Sequence, residues 1–241
     1  VMLRDPTTRP PEFRRVVRQL TRLLGYEATR DLPARDVRAT TPLGEAAGRR
    51  VEERIAIVPI LRAGLGMADG LLEMIPDAEV WHIGLVRDER TLKPQEYYNK
   101  LPRPCGAAVA IVVDPMLATG GSAIRTCELL VAAGVPRIIF LALIASPQGV
   151  ACLERGMPGV TIHVAALDEG LNDAGFIVPG LGDAGGARLP VVGAVHGDPV
   201  ARHGRRGDRG SGRRHAPFRD GRRPVGHPRP QGRQALDRRR G

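Results

Sequence analysis

Apolar residues recur along this chain with two different rhythms. From Pro11 to Leu24, the residues Phe13, Val16, Val17, Leu20, Leu23 and Leu24 fall three and four positions apart, which predicts an amphipathic helix. Pro10 and Pro11 suit its first turn. Residues 25–53 are polar and broken, with a short strand expected near Asp36–Ala39. Short apolar runs follow, and Arg54–Ile60, Glu79–Leu85, Ala107–Val113, Arg137–Ala145 and Val160–Ala166 read as strands, the last of them as the final strand. Helices are predicted from the Leu61–Gly66 segment to about Met74, over Gly120–Ala133 and over Pro147–Arg155. Residues 87–100 are polar, with Lys93-Pro94 near the middle and Tyr97-Tyr98 on the return, which predicts a protruding β-hairpin. The strands show little period-2 alternation. Strands of that kind, alternating with helices, predict an α/β, Rossmann-like fold with a parallel sheet covered on both faces. Ligands in such sheets bind beyond the carboxyl ends of the strands, where the loops at 61–66, 114–121 and 167–184 lie.

Charge divides the chain in two. Residues 186–241 hold fifteen Arg, no Lys and four Asp, a balance of +11 against +10 for all 241 residues, so residues 1–185 sum to −1. From about Gly193 the sequence is Gly, Arg, Pro, His and Asp with almost no apolar periodicity, which predicts disorder. No apolar run approaches the ~20 residues of a membrane helix. Arg4, Asp5 and Arg9 interrupt any secretory pattern. Cys105, Cys127 and Cys152 are too few and too scattered for a disulfide frame or a zinc site, and imply a cytoplasmic protein. Cys127 and Cys152 lie in half-apolar helical segments, where a buried thiol is ordinary.

The most informative segment is Val-Val-Asp-Pro-Met-Leu-Ala-Thr-Gly-Gly-Ser at 112–122. A buried strand ends in an acid, and a loop rich in Thr, Gly and Ser then opens a helix. Backbone N–H groups at a helix start point at a phosphate. Asp114 would repel a bare phosphate but accepts hydrogen bonds from sugar hydroxyls, so the pattern suits a phosphorylated sugar. As a bare turn, the same segment would use Thr119 only as a helix cap. The clustering of Asp114, Thr119, Gly120, Gly121 and Ser122 favours phosphate binding. A Walker loop is excluded because no Lys follows the glycines, and a dinucleotide fingerprint because its G-x-G-x-x-G is absent there.

Three other segments add chemistry. Arg62, after an apolar strand and before two glycines, is placed for a guanidinium fork onto a diphosphate, or is a solvated strand end. Arg87-Asp88-Glu89-Arg90-Thr91 is either a solvated turn or a lid over an anionic substrate. Gly175–Gly185 is glycine-rich, but its Phe-Ile-Val-Pro core is apolar and must cover something. The amides and carbonyls at Gly182 and Ala184 suit the polar edge of a flat heterocycle, with Asp183 near a metal or a substrate hydroxyl. His82 and His163 read as packing or surface residues, and no histidine pair has metal spacing, so a metal arrives with the substrate.

Asp114–Ser122 resembles the 5-phosphoribosyl 1-diphosphate (PRPP) loop of phosphoribosyltransferases, and with Pro115 after the acid it resembles the uracil phosphoribosyltransferase version. Pro-Ile-Leu-Arg-Ala-Gly-Leu-Gly-Met is similar to that family's diphosphate loop, and Gly-Phe-Ile-Val-Pro-Gly-Leu-Gly-Asp-Ala-Gly to its uracil loop. The likeness is colinear from about Leu3 to Gly185. It implies a type I phosphoribosyltransferase fold with a protruding hairpin and a C-terminal base-binding loop. It also implies an enzyme, a glycosyltransferase of pyrimidine salvage, that makes UMP and diphosphate from uracil and PRPP without a protein nucleophile. By the same resemblance Arg62 and Arg87 contact the diphosphate, and Asp114 holds the ribose hydroxyls. Pro115, Met116 and Leu117 continue the loop, and Ala118, Thr119, Gly120, Gly121 and Ser122 cradle the 5-phosphate. Ile177, Gly182 and Ala184 read uracil through the backbone, and Asp183 contacts the donor and its Mg²⁺. A homo-oligomer and activation by GTP are further implications.

The resemblance also implies a domain over 1–185 whose family start lies before Val1, and a tail over 186–241 foreign to the family. The tail has the composition of GC-rich codons read out of frame, so a frameshift near residues 185–190 is the expected origin. Loss of the family's own C-terminus puts full activity in question. Two competing readings remain. One is an RNA-binding, uridine-nucleotide-sensing regulator on the same fold, against which the −1 balance of residues 1–185 counts. The other is a variant whose Arg-rich tail binds nucleic acid nonspecifically, with steep salt dependence. Phe218 is the tail's one aromatic, so base stacking adds little.

Overall fold

The computed structural model describes residues 1–87, 94–102 and 105–182. A 3₁₀ turn (Met2–Arg4) leads to α1 (Pro10–Thr29), β1 (Ala34–Thr41), β2 (Gly44–Val51), β3 (Ile55–Leu61) and α2 (Leu65–Leu72). Next come β4 (Glu79–Val80), β5 (Ile83–Arg87), β6 (Pro94–Asn99), β7 (Val109–Val113), β8 (Met116–Leu117) and α3 (Gly121–Ala132). The described chain closes with β9 (Arg137–Ala145), α4 (Pro147–Gly156), β10 (Thr161–Leu167), β11 (Gly170–Leu171) and β12 (Ile177–Val178).

The main sheet runs β10-β9-β7-β3-β5-β6, with β4 on β3 and β8 on β9. All its pairs are parallel except β5 with β6. Successive side chains on a strand face opposite ways, so burial on both faces demands a continuous apolar run. Ile55 and Ile57 of β3, with Val109, Ile111 and Val113 of β7, join Phe13 and Val17 of α1 and Met67 and Leu71 of α2 in one core. Ala56, Val58, Ile60, Ala110 and Val112 face the other way, into a second core with Ala123, Cys127 and Leu130 of α3 and Leu153 of α4. Each of the large buried side chains contributes roughly 1.5–3 kcal/mol.

The helices and central strands lie within a few residues of their predicted limits, and the hairpin strands β5 and β6 form the sheet edge. Four details differ. First, α1 runs on to Thr29, and 34–51 is a full antiparallel hairpin rather than a broken segment with one short strand. Both its strands are largely exposed, so no buried face imposes an alternation that the sequence could display. Second, the single strand expected over Glu79–Leu85 is split at Trp81 and His82. Trp81 donates its backbone N–H to Ile57 O at 2.9 Å and its indole N–H to Glu79 at 3.0 Å. Third, β10 is not the last strand. Ile177–Val178, expected in a loop, pairs with Gly170–Leu171. Fourth, the antiparallel edge strand β6 makes the sheet mixed rather than purely parallel.

Candidate active site

The loops after β3, β7 and β10 meet at the carboxyl end of the sheet. Because Pro59 stands opposite Val113, and Val113 opposite Leu141, β3 runs two residues and β9 four residues past the end of β7, so the loop that starts at Asp114 opens between them. Asp114 donates its N–H to Leu141 O at 3.2 Å, and its carboxylate accepts the Met116 N–H at 3.2 Å. Burial pushes the Asp114 carboxyl up to about 7, and the Met116 N–H pulls weakly the other way. Met116–Leu117 then form β8 against Ile144 and Ala145. Pro115 O accepts the N–H groups of Leu143 and Ile144. The loop is thereby stitched to β9 before it turns into α3.

That turn needs glycine. Gly120 precedes α3 with φ +85°, and a Cβ there would sit 3.1 Å from both Gly149 O and Cys152 Cβ. From the β3 side, a Cβ on Gly64 would fall on the carbonyl oxygen of Val113, so the diphosphate-type loop can approach the acid's loop only with glycine there. Underneath, Ser146 is fully buried and caps α4. It donates its hydroxyl to Ala118 O at 2.6 Å and accepts the Gly149 N–H at 2.9 Å. Sequence reasoning missed Ser146. Its signal was the Ser-Pro pair that opens a helix.

A cleft of about 380 Å³ opens above these loops. Asp114, Met116, Leu117, Ala118, Thr119, Gly120 and Ser122 line it, joined by Leu61, Ala63, Gly175 and Phe176. The phosphate-type loop, the loop after β3 and the 175–182 segment are thus brought together. Pro115 and Gly121 support the loop without lining the cleft; Gly121 lies under the hairpin, where an added Cβ would stand 3.7 Å from Pro94 Cδ. Arg62 is exposed, and its neighbours rather than Arg62 itself line the cleft. Ile177 is buried in the core while Gly182 is exposed with φ +75°. Among the described residues of the segment, Gly175 and the half-exposed Phe176 line the cleft. The side chain of Arg87, the 88–91 turn, Asp183, Ala184 and the tail lie outside the described residues.

Among the described residues no group of three or more His, Cys, Asp and Glu side chains gathers as a metal cage. Burial pushes the Cys127 thiol up to about 12, so it offers no thiolate for nucleophilic chemistry. Among the described residues no helix is long and apolar enough to cross a membrane.

A doubly wound sheet with an acid and a glycine-turned amide cradle at the end of a central strand, faced by a separate apolar loop, defines a phosphoribosyltransferase-type domain. A family model described as Uracil phosphoribosyltransferase matches residues 1–189, and the chain belongs to that family. It is 55% identical over 184 residues to the uracil phosphoribosyltransferase of Roseiflexus sp. (strain RS-1), covering 76% of this chain and 88% of that protein. It is 52% identical over 184 residues to the protein of the same name from Dictyoglomus thermophilum, with 76% and 89% covered. The solved structure of the AQ2163 protein from Aquifex aeolicus superimposes with a TM-score of 0.74 at 35% identity, over 80% of this chain and 92% of that one.

Proposed function

We propose that this protein is the enzyme that transfers the phosphoribosyl group of PRPP to uracil, giving UMP and diphosphate in pyrimidine salvage. The observation that carries this is the 55% identity to a uracil phosphoribosyltransferase over 184 residues. The chemistry suits the residues present. Uracil N1 forms a bond to ribose C1 as the C1–diphosphate bond breaks, and no protein nucleophile takes part. The amides of Ala118 to Ser122 bind the 5-phosphate, on a loop shaped by Pro115, Met116 and Leu117. Asp114, once ionised, accepts hydrogen bonds from the ribose hydroxyls. Arg62, exposed beside cleft-lining Leu61 and Ala63, and Arg87 bind the leaving diphosphate. Ile177, Gly182 and Ala184 read uracil through backbone groups, and Asp183 meets the donor. Holding N1 in line with C1 removes the cost of orienting the two reactants, and excluding water protects the donor from hydrolysis.

Among the described residues Asp114 is the only carboxylate lining the cleft, which suits a Mg²⁺ that would be carried in by PRPP and contacted by Asp183. When bound, the ion supplies charge neutralisation on the departing diphosphate. GTP activation rests on the resemblance alone, and turnover with and without GTP tests it. The three free thiols support a cytoplasmic location. A homo-oligomer is supported by the hairpin β1–β2, whose residues are almost all exposed, Leu43 fully so. Two-stranded hairpins are marginal in water by themselves, and a second copy would cover this one. The end of the family match at residue 189 supports reading 186–241 as a tail outside the catalytic domain, with any nucleic-acid binding nonspecific.

The test is UMP formation from uracil and PRPP with Mg²⁺, by the intact chain and by Asp183→Ala side by side. Turnover that collapses in the variant supports the activity and the base loop together. A folded chain without turnover overturns the proposal.

A further inference from the structure

The segment expected to read the base has a brace that comes from the other end of the chain. Asn172 organises the first half of the segment locally, accepting the N–H groups of Ala174 at 3.1 Å and Phe176 at 2.9 Å on its side-chain oxygen. After β12 the chain turns sharply at Gly180, where φ is +63° and a Cβ would fall on Ile177 O. Both polar groups of the Gly180 backbone are taken there. Its N–H donates to Asp168 Oδ2 at 2.9 Å, and its carbonyl accepts from Arg4 Nη1 at 3.2 Å. Arg4 in turn forks onto Asp168, at 2.7 Å to Oδ2 and 2.5 Å to Oδ1. The Asp168 side chain is 3% exposed, and Arg4 beside it holds its carboxyl below the usual range. Leu3, next to Arg4, is buried in the same core as Ile177 and Leu181.

From this closed triangle we infer that Arg4 and Asp168 are positioning residues for uracil, acting through the peptide of Gly180 two residues before Gly182. The inference rests on the reading of 175–185 as the base loop. A guanidinium fork and a backbone N–H hold the carboxylate at once, so the orientation of the Gly180 peptide, and the path of Leu181 and Gly182 after it, is set by a rigid planar group. The PRPP cradle is built from β7, β8 and the start of α3, whereas the triangle joins the 3₁₀ turn at Arg4 to Asp168, after β10, and to Gly180, after β12. Loss of the brace therefore loosens the base side of the cleft and spares the donor side.

The experiment measures KM for uracil and for PRPP separately, with kcat, in the full chain and in Arg4→Ala, Arg4→Lys, Asp168→Asn and Gly182→Val. Arg4→Ala and Asp168→Asn are expected to raise KM for uracil about tenfold while KM for PRPP stays within about twofold, with Arg4→Lys in between. Gly182→Val, strained at a positive φ, tests the base-loop reading independently. If it raises KM for uracil and folded Arg4→Ala does not, the brace is overturned and the loop stands. If neither moves KM for uracil, the loop reading itself fails. Equal rises in both KM values for Arg4→Ala also overturn the inference, since a general loss of structure does that. Should Arg4→Ala not fold, Arg4→Lys decides by the same split.

Discussion

Ser146 donates its hydroxyl to the carbonyl oxygen of Ala118 at 2.6 Å, across 28 positions of sequence. One buried side chain thus follows β9, caps α4 and ties down the loop proposed to cradle the 5-phosphate. A Cβ on Gly149 would collide with the carbonyl oxygens of Leu117 and Ala118, so the helix start and the loop are in direct contact. That loop is therefore held from below by α4 as well as from behind by β9.

Ser146→Ala is expected to lower stability by about 1–2 kcal/mol, through loss of the cap and an unanswered Ala118 carbonyl. KM for PRPP should rise more than KM for uracil. Urea denaturation and steady-state kinetics check the two effects. A variant as stable as the parent would show that the bond contributes nothing net.

Gly120→Ala places a Cβ 3.1 Å from Gly149 O and Cys152 Cβ at a left-handed residue. Conformational strain alone costs roughly 1–2 kcal/mol, and the crowding pushes the α3 start away from α4. The expected outcome is a PRPP affinity at least about tenfold weaker in a folded protein, since a shift of that turn misdirects the amides. Calorimetric titration with PRPP reads it. Unchanged affinity would remove Gly120 from the cradle.

Asp114 carries a pH signature. Its folded pKa, about 7, lies above the ordinary 3.8, so between those values the folded state binds more protons than the unfolded chain. Its contribution therefore favours folding at low pH and is lost as pH rises through about 7. Asp114→Asn lacks this titration. Its stability relative to the parent should improve from about pH 4 to pH 7 and then level off, by roughly 1–3 kcal/mol in this open cleft. Turnover should nevertheless fall, because an amide accepts more weakly from the ribose hydroxyls than a carboxylate. A stability difference independent of pH would mean that Asp114 titrates normally.

Arg125 of α3 pairs with Glu96 of β6 at 3.6 Å, with side chains 41% and 28% exposed. The pair links the hairpin to the helix that starts at the phosphate loop. Exposed pairs of this kind contribute about 0–1 kcal/mol, so Arg125→Ala should shift the melting temperature little, and less still in high salt. A large shift would show that the ion pair, rather than the packing of β6, holds the hairpin.

Much of the fold could be read along the chain because burial writes itself into sequence. Residues 109–113 and 138–145 face a core on both sides, and only a run of Val, Ile, Leu, Ala and Phe satisfies that. The turn from Asp114 to Ser122 was equally legible, since a buried strand end, small residues and a positive-φ glycine stand in one unbroken stretch before α3. The 34–51 hairpin was not, because its exposed faces impose no periodicity.

What the sequence by itself determined was the doubly wound sheet, the strand–loop–helix turn that follows Asp114 and the family. All of these rest on local patterns that one stretch of chain must satisfy alone. Only the tertiary structure decided which residues support that loop and its partner. It showed Phe176 facing the cleft while Ile177 turned into the core, Ser146 reaching Ala118, and Arg4 crossing 164 positions to Asp168. A hydrogen bond between distant residues leaves no spacing in the sequence, because its partners are brought together by the packing of the sheet and not by the chain that joins them.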